Sequence, residues 1–386
     1  MKLLLLRAIA LIARLLRPRR RPGPIRRILL IKPDHLGDLL LATPALAALR
    51  RARPEARIVA LVGPWARLMW AHSPDLDGLA ELPFPGFERA APRGGPPFAR
   101  LARPYLLLAK YALLLRRERY DAALILRDDH WWGAALAALA GIPRRVGHAH
   151  PLCAPLLSDA LPYAPREHVS RQGLAAVERL VGTGGPGDRG TGTPPLRFAP
   201  GPADQGWAGA WVAARLAPGE RLVVIHPGTG GPTKHWPEEH WPIVADALAE
   251  MPGVRLLLTG GPGEAGLVDR IAAGMRRPPL TLAGQTSVGQ LAALLGRAAL
   301  VLGVDSGPLH IAVSQGAPTI HLFGPSDYER FGPWGDSARN LVLRAGLFCS
   351  PCGVFAACPR GTAGPECMAL IAPETVVVAA RGLLCT

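Results

Sequence analysis

Three short segments place groups that suit phosphates and hydroxyls directly after apolar runs. In Leu300-Val301-Leu302-Gly303-Val304-Asp305-Ser306-Gly307-Pro308, a run of buried-strand type ends in an acid, a helix-capping serine and a tight turn. This puts Asp305 at a strand's carboxyl end. Backbone N–H groups at Ser306 and Gly307 then point at whatever sits above, as at a phosphate-binding helix terminus. After Val223-Val224-Ile225 comes His226-Pro227-Gly228-Thr229-Gly230-Gly231-Pro232-Thr233-Lys234. Its glycines let backbone approach an anion, while Thr229 and Lys234 add a hydroxyl and a point charge. After Leu258 comes Thr259-Gly260-Gly261-Pro262-Gly263-Glu264, whose acid can accept both hydroxyls of a ribose. Each turn alone is ordinary. Three in one half of the chain point to a nucleoside diphosphate. No Gly-Lys-Ser/Thr follows a strand, and Gly260-Gly261-Pro262-Gly263 is no dinucleotide fingerprint.

In the first half, Lys32-Pro33-Asp34-His35-Leu36-Gly37-Asp38 joins a strand to its helix. Asp38 at the helix N-terminus stays ionised because the dipole favours an anion, and it could take a proton from an attacking hydroxyl. It could equally cap the helix. Asp34 and His35 are neighbouring candidates that periodicity does not exclude.

Holding these turns in place takes two β/α repeats. Residues 25–181 form the first, with strands at 27–31, 57–62 and 122–126, helices at 38–51 and 105–117, and a Pro/Gly-rich loop at 83–104. Residues 182–206 have the composition of a flexible connector. The pattern restarts over 207–345, with strands at 222–225, 254–258, 280–282, 300–304 and 319–323. A cysteine-rich segment and a C-terminal helix occupy 346–386. The expected architecture is α/β: two Rossmann-like domains facing across a cleft, into which the strand carboxyl ends point.

The chain has 386 residues, 49% of them hydrophobic, which is ample for two cores. Lys and Arg exceed Asp and Glu by 44 − 29 = 15, yet no nucleic-acid signature accompanies the charge, so a nucleic-acid partner is not expected. Nine basic residues and no acid fall in residues 1–27. Residues 1–24 read as a basic amphipathic segment, too short and too interrupted to span a bilayer, lying on an anionic membrane surface. The expected location is cytoplasmic, peripheral to the inner membrane. Cys349, Cys352, Cys358 and Cys367 have the spacing C-x2-C-x5-C-x8-C, which suits a structural zinc or iron–sulfur centre, or simply buried thiols.

In this order, ILLIKPDHLGDLLLATPALAALR, VIHPGTGGPTKHWP, LLTGGPGE and VDSGPLHIAVSQGAPTIHLFGPS resemble the signatures of the heptosyltransferase family, glycosyltransferase family 9. The resemblance runs roughly from Ile28 to Met368, and Cys349-Ser350-Pro351-Cys352 with Cys358 and Cys367 is similar to a C-terminal segment of many members. It implies a GT-B fold and inverting transfer of a heptose from a nucleotide-sugar donor, typically ADP-linked. The implied acceptor is the lipopolysaccharide core or another anionic glycolipid; because Lys234 and the helix N-terminus at Ser306 can meet the charge on a departing diphosphate, no cofactor is expected to be required for catalysis. It also implies roles: Asp38 as general base, Lys234 on the donor phosphates with Thr229 in the same loop, Glu264 at the ribose, Asp305 at the donor sugar, and Ser306 and Gly307 at the diphosphate. No chemistry is assigned to His310. The alternatives are a nucleotide-sugar epimerase on the same scaffold and a non-catalytic membrane-associated cysteine-cluster protein.

Overall fold

Buried β-branched and leucine runs alternating with amphipathic helices produce two doubly wound sheets. In this computed structural model, residues 2–15, 23–87, 97–182, 194–361 and 364–385 are described. The chain divides into two units, Met1–Pro194 and Pro195–Thr386.

The first unit runs α1 (Lys2–Leu15), β1 (Arg27–Lys32), α2 (Leu36–Leu41), α3 (Thr43–Ala52), β2 (Arg57–Val62), β3 (Gly78–Glu81), α4 (Pro97–Glu118), β4 (Ala122–Ile125), α5 (Trp131–Leu139), β5 (Arg144–His148), β6 (Asp159–Leu161) and α6 (Val169–Val181). Its strands pair in parallel in the order β3-β2-β1-β4-β5-β6. Ile28 to Ile31 are buried on both faces, as central parallel strands require.

Two expectations for this half change. The single helix at 38–51 is two helices that meet at Ala42, because Pro44 lacks the N–H needed to continue α2 and instead starts α3. The loop expected at 83–104 is shorter, since α4 begins at Pro97 and carries Pro104 inside it; residues 88–96 lie outside the described residues. The Pro104 carbonyl accepts a hydrogen bond from Trp132 Nε1 at 2.9 Å.

The N-terminal helix is not a separate segment. Leu6, Ile9, Ala10 and Ala13, spaced i, i+3, i+4 and i+7, are buried in the core that also holds Leu136, Cys153 and Leu156. The boundary expected at residue 24 therefore does not separate α1 from the first domain. Arg17, Arg19, Arg20 and Arg21 lie outside the described residues. Leu6→Ala should lower the unfolding free energy by about 2–5 kcal/mol, as for other fully buried leucines. Denaturant titration checks this, and a loss below about 0.5 kcal/mol, the range of exposed substitutions, would show that the helix contributes no core packing.

The second unit runs α7 (Pro202–Ala213), β7 (Arg221–His226), α8 (His240–Ala249), β8 (Val254–Leu258), α9 (Ala265–Ala273), β9 (Leu280–Thr281), α10 (Val288–Leu295), β10 (Leu300–Val304), α11 (Gly307–Ser314), β11 (Thr319–Leu322) and β12 (Asn340–Leu343). Its parallel order is β12-β11-β10-β7-β8-β9. Each unit thus winds outward in both directions from its first strand. The reversals fall between β1 and β4 and between β7 and β10, where open α/β sheets bind ligands.

Residues 183–193 of the expected connector lie outside the described residues, but its later part belongs to the second unit. Leu196 is buried, the Phe198 carbonyl accepts from Gln315 Nε2 at 2.7 Å, and Pro202 opens α7. The C-terminal segment is likewise no separate domain. Met368, Ile371, Val376, Ala380 and Leu384 complete the second core, and Trp236 Nε1 donates to the Ile371 carbonyl at 3.0 Å.

Candidate active site

Register decides which turns meet. Gly303 of β10 pairs with His226 of β7, and Ile225 pairs with Leu258 of β8, so the turns after these three strands emerge side by side. A Cβ on Gly303 would stand 2.3 Å from the His226 carbonyl oxygen, so only glycine permits this approach.

Lys234 and Asp305, 71 residues apart, form an ion pair of 2.7 Å. Burial alone would raise the Asp305 pKa. The Lys234 ammonium and the His310 ring, whose Nε2 is 4.0 Å away, outweigh that and hold the carboxyl below its ordinary value. Thr229 Oγ1 donates to the Asp305 carbonyl at 3.2 Å. Ser306 holds the N-cap position of α11 in extended backbone, but its side chain makes no capping bond. Its Oγ is buried without a partner. With the first-turn N–H groups of α11, beginning at Gly307, it offers donors that the fold itself leaves uncommitted.

Glu264 closes the neighbouring turn. Its Oε2 accepts from the Gly261 N–H at 2.6 Å and lies 3.8 Å from His226 Nε2. A Cβ on Gly228 would fall 2.1–2.3 Å from the Glu264 carboxylate, so Gly228 and Glu264 need each other's geometry. His226 Nδ1 meets Thr259 Oγ1 at 3.1 Å, and burial pushes the ring's pKa below its usual range despite Glu264. Thr229, Lys234, Asp305, Ser306, Gly307 and Glu264 therefore occupy one edge of the second sheet.

Sequence reasoning missed what lies against that edge. The Thr233 N–H donates to the Phe355 carbonyl at 3.3 Å, and Thr233 Oγ1 to the Val354 carbonyl at 2.8 Å. The Phe355 ring centroid lies 5.3 Å from Lys234 Nζ. The cysteine-rich segment thus braces the lysine loop. It does not assemble the metal centre considered for Cys349, Cys352, Cys358 and Cys367: among the described residues no group of three or more His, Cys, Asp or Glu is placed to hold a metal ion. Cys367 Sγ is tucked beneath Gly324 beside the core residue Met368, whereas Cys352 is exposed. Burial, with smaller contributions from Cys352, Cys349 and Cys358, raises the Cys367 thiol above its ordinary value.

The first unit carries a different cluster at its own reversal. Asp34 is only 2% exposed; Lys32 Nζ lies 3.0 Å from its Oδ2 and Arg127 pairs with its Oδ1. Burial would raise the Asp34 pKa, but Lys32 and Arg127 hold it well below the usual carboxylate range. Asp34 is therefore the hub of an ion cluster, committed to two cations. Arg127 also pairs with Asp129 at 2.6 Å, and neither residue stood out in the sequence. His130 packs between Phe84, Phe87 and Trp132, and burial lowers its pKa to about 3. Asp38 lies in the first turn of α2, after His35 at the N-cap, and is partly exposed. An Asp-x-Asp triplet, Asp75-Leu76-Asp77, sits at the opposite edge, where Asp77 Oδ2 accepts from the Ile58 N–H at 2.7 Å. Its role is structural.

Two parallel six-stranded sheets of this winding define the fold class as GT-B. Residues 109–355 match glycosyltransferase family 9 (heptosyltransferase), and the chain belongs to this family. It is 29% identical to lipopolysaccharide heptosyltransferase 3 of Escherichia coli K12 over 314 residues, covering 78% of this chain and 83% of that protein. Lipopolysaccharide heptosyltransferase 2 of the same strain is 24% identical over 339 residues, covering 83% and 89%. Among solved structures, a family 9 glycosyltransferase from Veillonella parvula superposes with a TM-score of 0.76 at 24% identity, covering 95% of this chain and 99% of that one. E. coli ADP-heptose lipopolysaccharide heptosyltransferase II superposes at 0.68 with 20% identity, covering 93% and 98%. The epimerase alternative falls with the family assignment.

Proposed function

We propose that this protein moves a heptose from ADP-heptose, with inversion, to the lipopolysaccharide core or another anionic lipid-linked glycan. The observation that carries this reading is the Lys234–Asp305 pair beside the uncommitted Ser306 hydroxyl and the N-terminus of α11, in a family 9 chain. The similar E. coli heptosyltransferase WaaC has been solved with ADP and with ADP-2-deoxy-2-fluoro heptose, which supports the choice of donor.

In this reading the donor diphosphate lies over Ser306 and Gly307. An ammonium has three N–H donors; Asp305 takes one from Lys234, leaving two for phosphate oxygens. Glu264 receives the ribose hydroxyls and Asp305 turns its other oxygen to the donor sugar. The acceptor oxygen bonds to the anomeric carbon as the carbon–phosphate-oxygen bond breaks. ADP departs with the electron pair and Asp38 takes the acceptor's proton. Lys234 and the α11 dipole meet the charge growing on the diphosphate, so no added divalent cation is needed. One displacement inverts the anomeric centre without a covalent intermediate.

The test is transfer from ADP-heptose to a defined core oligosaccharide in excess chelator. The acceptor should gain the mass of one heptose, with inverted anomeric configuration. A donor that is only hydrolysed, an anomer that is retained, or an absolute magnesium requirement would each overturn the corresponding part.

A further inference from the structure

We propose that the outer faces of α1 and α4 form one surface that docks the first unit on an anionic phospholipid leaflet. The inference takes its purpose from the reading of the acceptor as lipid-linked, but its evidence is separate. On the side of α1 opposite its buried stripe stand Leu4, Leu11 and Leu15, exposed by 68%, 58% and 77%. A helix that only covered a core would present polar residues there. Arg7 and Arg14 flank the row, and the helix carries no acid. The same arrangement recurs on α4, which buries Leu108 and Ala112 and exposes Leu106 and Leu113, with Lys110 and Arg117 on the same side. No acid occurs from residue 97 to 117.

The two helices share a support. Lys2 Nζ lies 4.9 Å from the Trp131 ring centroid, and the Tyr105 ring lies 6.3 Å from the same ring. Trp131 opens α5 soon after β4, so both helices reach the carboxyl edge of the first sheet, and docking there brings that edge to the leaflet. Charge selects the occupant. A second copy would set basic faces against each other in a chain of net charge +15, whereas an anionic headgroup layer complements them. No described helix is long and apolar enough to cross a membrane, so the geometry is that of helices lying in the interface.

The full chain should sediment with vesicles of phosphatidylcholine and phosphatidylglycerol and not with phosphatidylcholine alone. Raising salt from 0.1 to 1 M, which shortens the screening length from about 10 to about 3 Å, should weaken partition more than about tenfold. The double variant Leu11→Glu/Leu113→Glu should lower partition about a hundredfold, with unchanged melting and unchanged transfer to a water-soluble acceptor. Equal partition of variant and parent, or salt-independent binding, would overturn the proposal. So would a dimer in the parent that the variant abolishes without any vesicle binding. Failure of transfer to the soluble acceptor in the parent would instead overturn the catalytic reading and leave docking intact.

Discussion

Asp38→Ala should abolish measurable transfer, a loss of about 10²–10⁴ or more in kcat, while ADP-heptose binds within about twofold of the parent. The asymmetry follows from placement: Asp38 lies in the first unit, and every residue proposed to hold the donor lies in the second. Donor titration by calorimetry and single-turnover kinetics read the two quantities separately. Weakened donor binding with normal turnover would remove Asp38 from the role of base.

Asp34, four residues earlier, provides the contrast. Asp34→Asn should act on stability, because it leaves Lys32 and Arg127 without their shared buried carboxylate. The sign of the pH effect follows from its depressed pKa. The stabilisation is present above the unfolded value near 4 and is lost as pH falls through the folded value, so the parent's acid limb should be steeper than the variant's. A lethal loss of turnover in a stable Asp34→Asn protein would transfer the base role to Asp34.

Lys234→Ala carries the second large effect. It should weaken donor binding and slow turnover together, by about 10²–10³ in kcat/KM, because one ammonium serves both the bound diphosphate and the departing one. The loss should appear for ADP and be small for adenosine, which has no diphosphate. The variant also leaves Asp305 buried without its cation, so its melting temperature should fall. Lys234→Arg should recover stability more than turnover, since a guanidinium can pair with Asp305 but its planar fork differs from an ammonium. Equal loss of ADP and adenosine affinity would show that Lys234 shapes the loop instead of binding phosphate.

Local chemistry made much of this protein legible from its residues. Apolar runs of strand length, separated by helical spacings, specified parallel β/α repeats, and strand-turn-helix junctions marked the ends where ligands bind. Thr229, Lys234, Glu264, Asp305, Ser306 and Gly307 could be selected because each lies a few residues beyond a strand whose burial the sequence announces. The break at Ala42 was within reach too, since Pro44 is a local signal. Tertiary structure alone decided what met what. Thr233 reaches Val354 across 121 residues, and Asp34 reaches Arg127 across 93, contacts that no periodicity encodes because they depend on the order in which strands join a sheet. Four cysteines at suggestive spacing met the same limit: spacing along a chain does not set the direction of thiols, and packing decides that Cys367 Sγ lies beneath Gly324 while Cys352 is exposed. The N-terminal helix shows both sides. Its sequence determined that it is apolar, basic and too short to span, while packing of Leu6, Ile9 and Ala13 into the first core decided which face remains outside.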